Sequence, residues 1–171
     1  LGIGAIGSVI ARRFAALGFE VRGYARTERE IDGVTCFAGP GQLAAFAKGL
    51  DIVVSVLPLT PDTTGLMNAD FFANLADGAF IINGGRGPQV NDTDLLAALE
   101  SGKLGGAALD VFAVEPLPQD HAFWTHPKVR VWPHVAAQTN ATSAADQVAA
   151  AITAMMDGAE PANRVDWSRG Y

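Results

Sequence analysis

The chain has 171 residues, 49% of them apolar and 18% charged, which suits one domain with a hydrophobic core and excludes a disordered chain. Twelve basic and eighteen acidic side chains leave a net charge of −6, which argues against nucleic acid and anionic membranes as partners. No apolar run reaches the roughly 20 residues that a membrane-spanning helix needs. The single cysteine, Cys36, cannot form an internal disulfide, so a reducing cytoplasm is expected.

The chain opens on a glycine-rich turn that leads into a helical pattern. The motif G-x-G-x-x-G covers residues 2–7, and the apolar spacing predicts a helix that opens at Ser8 and is capped by Gly18. Backbone N–H groups at a helix N-terminus bind a pyrophosphate when no Cβ keeps it away. In this context the motif favours a dinucleotide site, and the alternative is a plain tight turn.

The rest of the chain alternates short apolar runs with helical stretches. The predicted strands are Glu20–Tyr24, Val34–Phe37, Ile52–Leu57, Ala79–Ile82, Ala107–Leu109 and Val129–Trp132. The predicted helices are Gln42–Lys48, Ala69–Leu75, Asp92–Glu100 and Asn140–Met156, the second and third of them capped by Asn68 and Asn91. Apolar runs without alternation are typical of parallel strands buried on both faces. This order predicts an α/β fold with a doubly wound parallel sheet, a Rossmann-like dinucleotide-binding domain.

The glycine turn of such a domain follows a first strand that lies at the centre of the sheet. Only Leu1 stands before the turn in this chain. A sheet without its central strand would leave unpaired backbone groups on both neighbouring strands. We therefore expect the protein to continue upstream, with residues 1–158 as the dinucleotide-binding domain lacking its first strand and 159–171 as a C-terminal tail.

The residues at the end of the second strand distinguish the two nicotinamide dinucleotides. An Asp or Glu about 20 residues after the motif usually binds the ribose 2′-hydroxyl of NAD. This chain has Ala25 there, followed by Arg26 and Thr27. Alanine cannot accept that hydrogen bond, whereas a guanidinium can bind a 2′-phosphate. The sequence favours NADP(H), with NAD as the alternative if Glu28 binds the ribose and Arg26 is a solvated surface residue.

Charged side chains follow three successive predicted strands. Arg86 lies in the run N-G-G-R-G after one strand, Asp110 and Glu115 follow the next, and His134 follows the last. Ligands of open α/β sheets bind beyond the carboxyl ends of the strands, and the forked donors of arginine suit a carboxylate or ketone oxygen. Each residue alone is more simply a surface or structural side chain. Together they favour a catalytic set.

The other reactive side chains have simpler interpretations. The three histidines lack metal-ligand spacing, so no metal site is predicted. His121 and His126 are interpreted as surface or structural residues. Cys36 lies in a strand pattern and is interpreted as a small buried apolar residue.

Taken together, these motifs resemble the nucleotide-binding domain of the D-isomer-specific 2-hydroxyacid dehydrogenases, and within that family the glyoxylate/hydroxypyruvate reductase A type. The matching stretches are Leu1 to Gly7, Leu57-Pro58 with Thr60 to Thr63, Asn83 to Gly87, Leu95 to Gly102, Leu109 to Pro118, Trp124 to Pro127 and Pro133 to Ala137. The tail, with Val165-Asp166 and Arg169 to Tyr171, is also similar to that subgroup.

The resemblance implies a role for each matching residue. Arg86 would bind and orient the substrate, His134 would act as acid or base, and Glu115 would pair with that histidine. The implied cofactor contacts are Gly2, Gly4, Ala5, Ile6 and Gly7 around the pyrophosphate, Arg26 and Thr27 at the 2′-phosphate, Leu57 and Pro58 beside the adenosine, Asp110 at the nicotinamide amide, and Gly84 and Ala136.

The implied reaction is the NADPH-dependent reduction of a small 2-oxo acid, glyoxylate or hydroxypyruvate, to the 2-hydroxy acid, in a cytoplasmic homodimer. The irregular segment from Glu115 to Pro127, with Phe123 and Trp124, is a candidate dimer contact, and the alternative is that Trp124 packs within its own subunit. The alternative is a non-catalytic dinucleotide-sensing module. Two departures from the family pattern stand out: Gly85 replaces an alanine, which is expected to loosen the backbone, and Gln138 to Asn140 differ from the usual continuation.

Overall fold

Strands and helices alternate in the computed structural model, which describes residues 1–162 and 164–165. The strands are β1 Val21–Ala25, β2 Val34–Ala38, β3 Ile52–Ser55, β4 Ala79–Asn83, β5 Leu104–Leu109 and β6 Val129–Val131. The α-helices are α1 Ala5–Ala16, α2 Leu43–Ala47, α3 Ala69–Asn74, α4 Asp92–Glu100 and α5 Ala141–Met156. Short 3-10 helices cover Pro40–Gln42, Gly87–Gln89 and Ala122–Trp124. The chain divides into two units, Leu1–His134 and Val135–Tyr171.

The strands form two parallel sheets, and both lie in the first unit. β1 pairs with β2, and a second sheet has the order β3-β4-β5-β6. Every described ladder in these sheets is parallel. Buried aliphatic side chains, among them Ile81, Leu95 and Leu99, form the core against the four-stranded sheet. The predicted parallel α/β fold is confirmed.

Leu1 and Gly2 lie between the two sheets. The amino group of Leu1 donates to the Val54 carbonyl (2.8 Å), and the Leu1 carbonyl accepts from Val56 N–H (3.0 Å). On the other side Gly2 N–H donates to the Tyr24 carbonyl (2.9 Å). A largely apolar cavity of about 260 Å³ lies beside them, between α1, β1 and β3. The expected upstream strand and the boundary at residue 158 stay predictions.

Asparagine side chains cap three helices, whereas the predicted start of α1 needs a correction. The side chains of Asn68, Asn91 and Asn140 accept hydrogen bonds from N–H groups in the first turns of α3, α4 and α5. α1, however, begins at Ala5 and not at Ser8. The apolar spacing indicates only the part of the helix whose apolar side chains face the core. It misses the first turn of α1, because Ile6 there is exposed.

Two expectations about the strands are wrong. β5 begins three residues before its predicted start, because Gly105 and Gly106 interrupt the apolar run, although Leu104 and Gly106 pair with β4 and Gly105 lies at a register shift between them. β4 is not buried on both faces. Its side chains alternate between buried and exposed, and Phe80 and Ile82 lie on the open face. Parallel strands are buried on both faces only where other elements cover both.

The second unit contains α5, whose described residues are at most partly buried. No helix in the described part of the chain is long and apolar enough to cross a membrane. The resemblance noted for Asp166 and for Arg169 to Tyr171 falls outside the described residues.

Candidate active site

The loops that follow β4, β5 and β6 lie side by side at the carboxyl edge of the four-stranded sheet. Gly84 N–H donates to the Ser55 carbonyl (3.0 Å), Asp110 N–H to Asn83 (3.0 Å), and His134 N–H to Asp110 (2.9 Å). These bonds continue the ladder past the strand ends. They bring the three segments predicted to carry the chemistry to one edge of the sheet.

His134 and Glu115 form a hydrogen-bonded pair within this edge. Nδ1 of His134 lies 2.9 Å from Oε2 of Glu115, and the side chains are 49% and 37% exposed. Oε1 of Glu115 accepts from Phe112 N–H (2.9 Å). The hydrogen bond from His134 lowers the pKa of Glu115 below its usual range, aided by the Phe112 N–H and the positive charge of Arg86. The other two residues predicted as catalytic, His134 and Arg86, therefore both act on the Glu115 carboxylate.

The backbone of His134 adopts a left-handed conformation, with φ at 55°. This region is unfavourable for a side chain larger than glycine, and such strain costs about 1–3 kcal/mol and is often found at functional sites. The bond from His134 N–H to Asp110 helps to hold the conformation. Because Nδ1 is paired with Glu115 and no described residue hydrogen-bonds Nε2, Nε2 is the ring atom available to a ligand.

Two buried amide side chains that sequence reasoning did not single out hold the turn of Arg86. Asn83 accepts from Gly85 N–H (3.0 Å) and donates to the Arg86 carbonyl (3.1 Å). Oε1 of Gln89 accepts from Arg86 N–H (3.1 Å). Both amides are buried, while Arg86 is exposed at the sheet edge. The sequence feature that could have indicated these two residues is that they stand at the two ends of the glycine-rich run 83–89.

The expectation that Gly85 loosens the backbone stays a prediction, and the structure shows how much room a side chain would have there. A Cβ at Gly85 would lie 2.6 Å from Oε1 of Gln89 and 3.0 Å from the Leu57 carbonyl. A side chain at this position would therefore require the Gln89 amide to shift.

The glycine motif places the N-terminus of α1 against the end of β3. A Cβ at Gly7 would overlap the Gly2 carbonyl, and Gly2 has a left-handed φ of 86°. Gly4, by contrast, faces open space and caps α1 without a side-chain hydrogen bond. The first-turn N–H groups, including those of Ala5 and Ile6, can therefore bind an anion such as a pyrophosphate.

The other predicted cofactor residues fall in three places. Arg26 and Thr27 are exposed directly after β1, as is Glu28. Leu57 and Pro58 follow β3, where their carbonyls accept from Nε2 of Gln89 (3.0 Å each). Of the remaining three, Gly84 and Asp110 lie at the sheet edge described above, and Ala136 belongs to the second unit.

The remaining reactive side chains make local contacts. His121 accepts from Phe123 N–H and lies 3.6 Å from Asp92, and His126 accepts from Lys128 N–H. Cys36 is only partly buried, contrary to expectation, because β2 has one partner strand. No group of side chains among the described residues could hold a metal ion.

Phe123 is not a candidate dimer contact, which corrects the sequence interpretation. Its side chain is 1% exposed and packs against Phe112 in the core. The neighbouring Trp124 is 52% exposed.

A family model described as D-isomer specific 2-hydroxyacid dehydrogenase, NAD binding domain, matches residues 1–136. The chain belongs to this 2-hydroxyacid dehydrogenase family. Over all 171 residues it is 48% identical to proteins named glyoxylate/hydroxypyruvate reductase A from Serratia proteamaculans (strain 568) and Yersinia enterocolitica, and it covers 55% of each. This dehydrogenase chain thus spans about half the length of the curated relatives it matches.

Solved structures of the same family agree with this fold. The D-isomer specific 2-hydroxyacid dehydrogenase of Xanthobacter autotrophicus Py2, in complex with NADPH and MES, is 45% identical with a TM-score of 0.96, over 99% of this chain and 70% of that one. The NADPH-dependent glyoxylate/hydroxypyruvate reductase of Sinorhizobium meliloti, in complex with NADP and sulfate, is 41% identical with a TM-score of 0.94, over 99% of this chain and 55% of that one.

Proposed function

We propose that the full-length protein is an NADPH-dependent reductase of a small 2-oxo acid, glyoxylate or hydroxypyruvate. The pairing of His134 with Glu115 (2.9 Å), beside the charge of Arg86, is the observation that carries this proposal. A domain that only bound a dinucleotide would need neither the pair nor the arginine. The names of the Serratia and Sinorhizobium relatives support the same substrates.

NADPH fits the residues at the N-terminus of α1 and the end of β1. The open space at Gly4 and the uncapped first turn of α1 suit a pyrophosphate. Arg26 and Thr27 are the residues we assign to the 2′-phosphate, which would make NADP the cofactor and NAD the weaker alternative. The NADPH complex of the Xanthobacter relative and the NADP complex of the Sinorhizobium relative support this choice.

In the proposed reaction the chain binds the substrate and supplies a proton, and NADPH, when bound, supplies the hydride. Arg86 binds the substrate carboxylate and stabilises negative charge that develops on the carbonyl oxygen. Nε2 of His134 donates the proton to that oxygen. Glu115 holds Nδ1, which orients the ring and stabilises the protonated imidazole.

The test is steady-state reduction of glyoxylate and hydroxypyruvate by the full-length protein, with NADPH and NADH compared. We expect NADPH to be preferred. For His134→Ala we expect turnover to fall by about a hundredfold or more while the Kd for NADPH is kept. The matched control is His126→Ala, which removes a histidine that contacts Lys128 N–H instead. Unchanged turnover in His134→Ala would contradict the assigned role, and preference for NADH would overturn the choice of cofactor.

The alternative function is a dinucleotide-sensing module without catalysis. Binding of NADPH by a protein that reduces no 2-oxo acid would favour it.

We also propose a cytoplasmic homodimer that binds neither nucleic acid nor membranes, supported by the net charge of −6 and by the exposure of Trp124.

A further inference from the structure

The side chain of Gln89 is buried, with 0% of its surface exposed, in the short helix Gly87–Gln89 that follows the turn of Arg86. A buried amide destabilises a protein unless its donors and acceptors are hydrogen-bonded. The donors and the acceptor of the Gln89 amide therefore all need hydrogen-bond partners, and these partners show which segments the side chain connects.

Gln89 joins three segments through one amide. Nε2 donates to the carbonyls of Leu57 and Pro58, both at 3.0 Å. Oε1 accepts from Arg86 N–H at 3.1 Å and from the Ser55 hydroxyl at 3.5 Å. The segment assigned to the cofactor and the residue assigned to the substrate are thus connected by a single side chain.

The contacts around Gly85 indicate that the Gln89 amide has a specific orientation and does not merely fill space. Oε1 of Gln89 occupies the volume that a Cβ at Gly85 would take, at 2.6 Å. The Asn83 side chain hydrogen-bonds Gly85 N–H and the Arg86 carbonyl in the same turn, whereas Arg86 N–H donates to Gln89. An apolar side chain could fill this space but could not hold three separate backbone groups.

We propose that Gln89 is a positioning residue that holds Arg86 and the Leu57–Pro58 segment at a fixed separation, and so couples the placement of substrate and cofactor. The inference rests on the proposed function. Gln89 acts through Arg86 and the Leu57–Pro58 backbone. Small displacements of such groups are costly, because hydride transfer requires the reacting atoms in line.

The test uses two variants of the full-length protein that separate the two halves of the amide. Gln89→Met keeps the length and removes all polar contacts. Gln89→Glu keeps an acceptor for Arg86 N–H and replaces the two N–H donors to Leu57 and Pro58 by at most one O–H. The control Asn68→Ala removes the side-chain cap of α3, away from the site. The measurements are the KM for glyoxylate, kcat, the Kd for NADPH and hydrogen exchange of Arg86 N–H.

We expect Gln89→Met to lower kcat/KM by about tenfold or more, with a weaker Kd for NADPH and faster exchange of Arg86 N–H. Gln89→Glu should recover the KM for glyoxylate and the slow exchange, but not the Kd for NADPH. Identical behaviour of the two variants, or the same losses in Asn68→Ala, would overturn the proposal. If the unmodified protein reduces no 2-oxo acid, the proposed function fails, and NADPH affinity and exchange still decide the role of Gln89.

Discussion

At the scale of single residues, the site depends on how each polar group is held. Glu115 accepts hydrogen bonds from both His134 and Phe112 N–H, and this keeps its carboxylate charged. Glu115 and His134 are 19 positions apart, so the sequence pattern shows the candidates but not their pairing. The sequence also favoured Arg86, yet the amides of Asn83 and Gln89 that hold it became visible only through their burial.

The lowered pKa of Glu115 predicts a stability difference that depends on pH. A carboxyl group whose pKa is lower in the folded state stabilises the protein above its ordinary pKa, and this contribution is lost as pH falls through the folded-state value. Glu115→Gln should therefore lower the free energy of unfolding near neutral pH, by less than about 1 kcal/mol because the pair is partly exposed. The difference should disappear in acid.

Urea denaturation across this pH range measures the effect. Glu30→Gln, at an exposed position, serves as the control and should show no such dependence. A Glu115→Gln difference that persists or grows in acid would contradict the assignment of the lowered pKa to the bound carboxylate.

At the scale of elements, the glycine turn and α1 combine two different requirements. Gly7 has no room for a side chain, because α1 packs against the Gly2 backbone. Gly4 has room for a side chain, so packing does not require glycine there, and we propose that a bound pyrophosphate does. The motif predicted the turn from spacing alone, whereas the separate reasons for Gly4 and Gly7 come from the packing of the helix on the strand.

Alanine substitutions should separate these two requirements. Gly4→Ala is expected to leave Tm unchanged and to weaken the Kd for NADPH about tenfold, the equivalent of one hydrogen bond to a charged group. Gly7→Ala should lower Tm strongly, because its Cβ would overlap the Gly2 carbonyl. Gly41→Ala, also in open space, is the control and should change neither quantity. Loss of Tm in Gly4→Ala would contradict the interpretation.

At the scale of the whole molecule, the first unit has two sheets bridged by Leu1 and Gly2. Residues of β1 and β3 line the cavity of about 260 Å³ between them, together with apolar side chains from α1. An added extended segment would pair with both strands and remove this apolar surface from water.

In a fragment cut to begin at Leu1, an extended apolar segment added upstream should therefore raise Tm. Five residues of valine and isoleucine would suit a central parallel strand, and each kcal/mol gained raises Tm by roughly 2–4 °C for a domain of this size. A segment of the same length with alternating proline is the control, since proline cannot donate to a ladder. Equal Tm values for the two segments would show that the space between β1 and β3 does not accept a strand.

The sequence by itself determined the parallel α/β class, the glycine turn and the asparagine caps of α3 and α4, because these depend on local spacing and on short-range hydrogen bonds. It also placed Arg86 and His134 after strands. Only the tertiary structure decided that His134 bonds Glu115, that Phe123 is buried, and that Gln89 reaches Leu57 across 32 positions. Those features depend on side-chain direction and packing between distant segments, which no local pattern encodes.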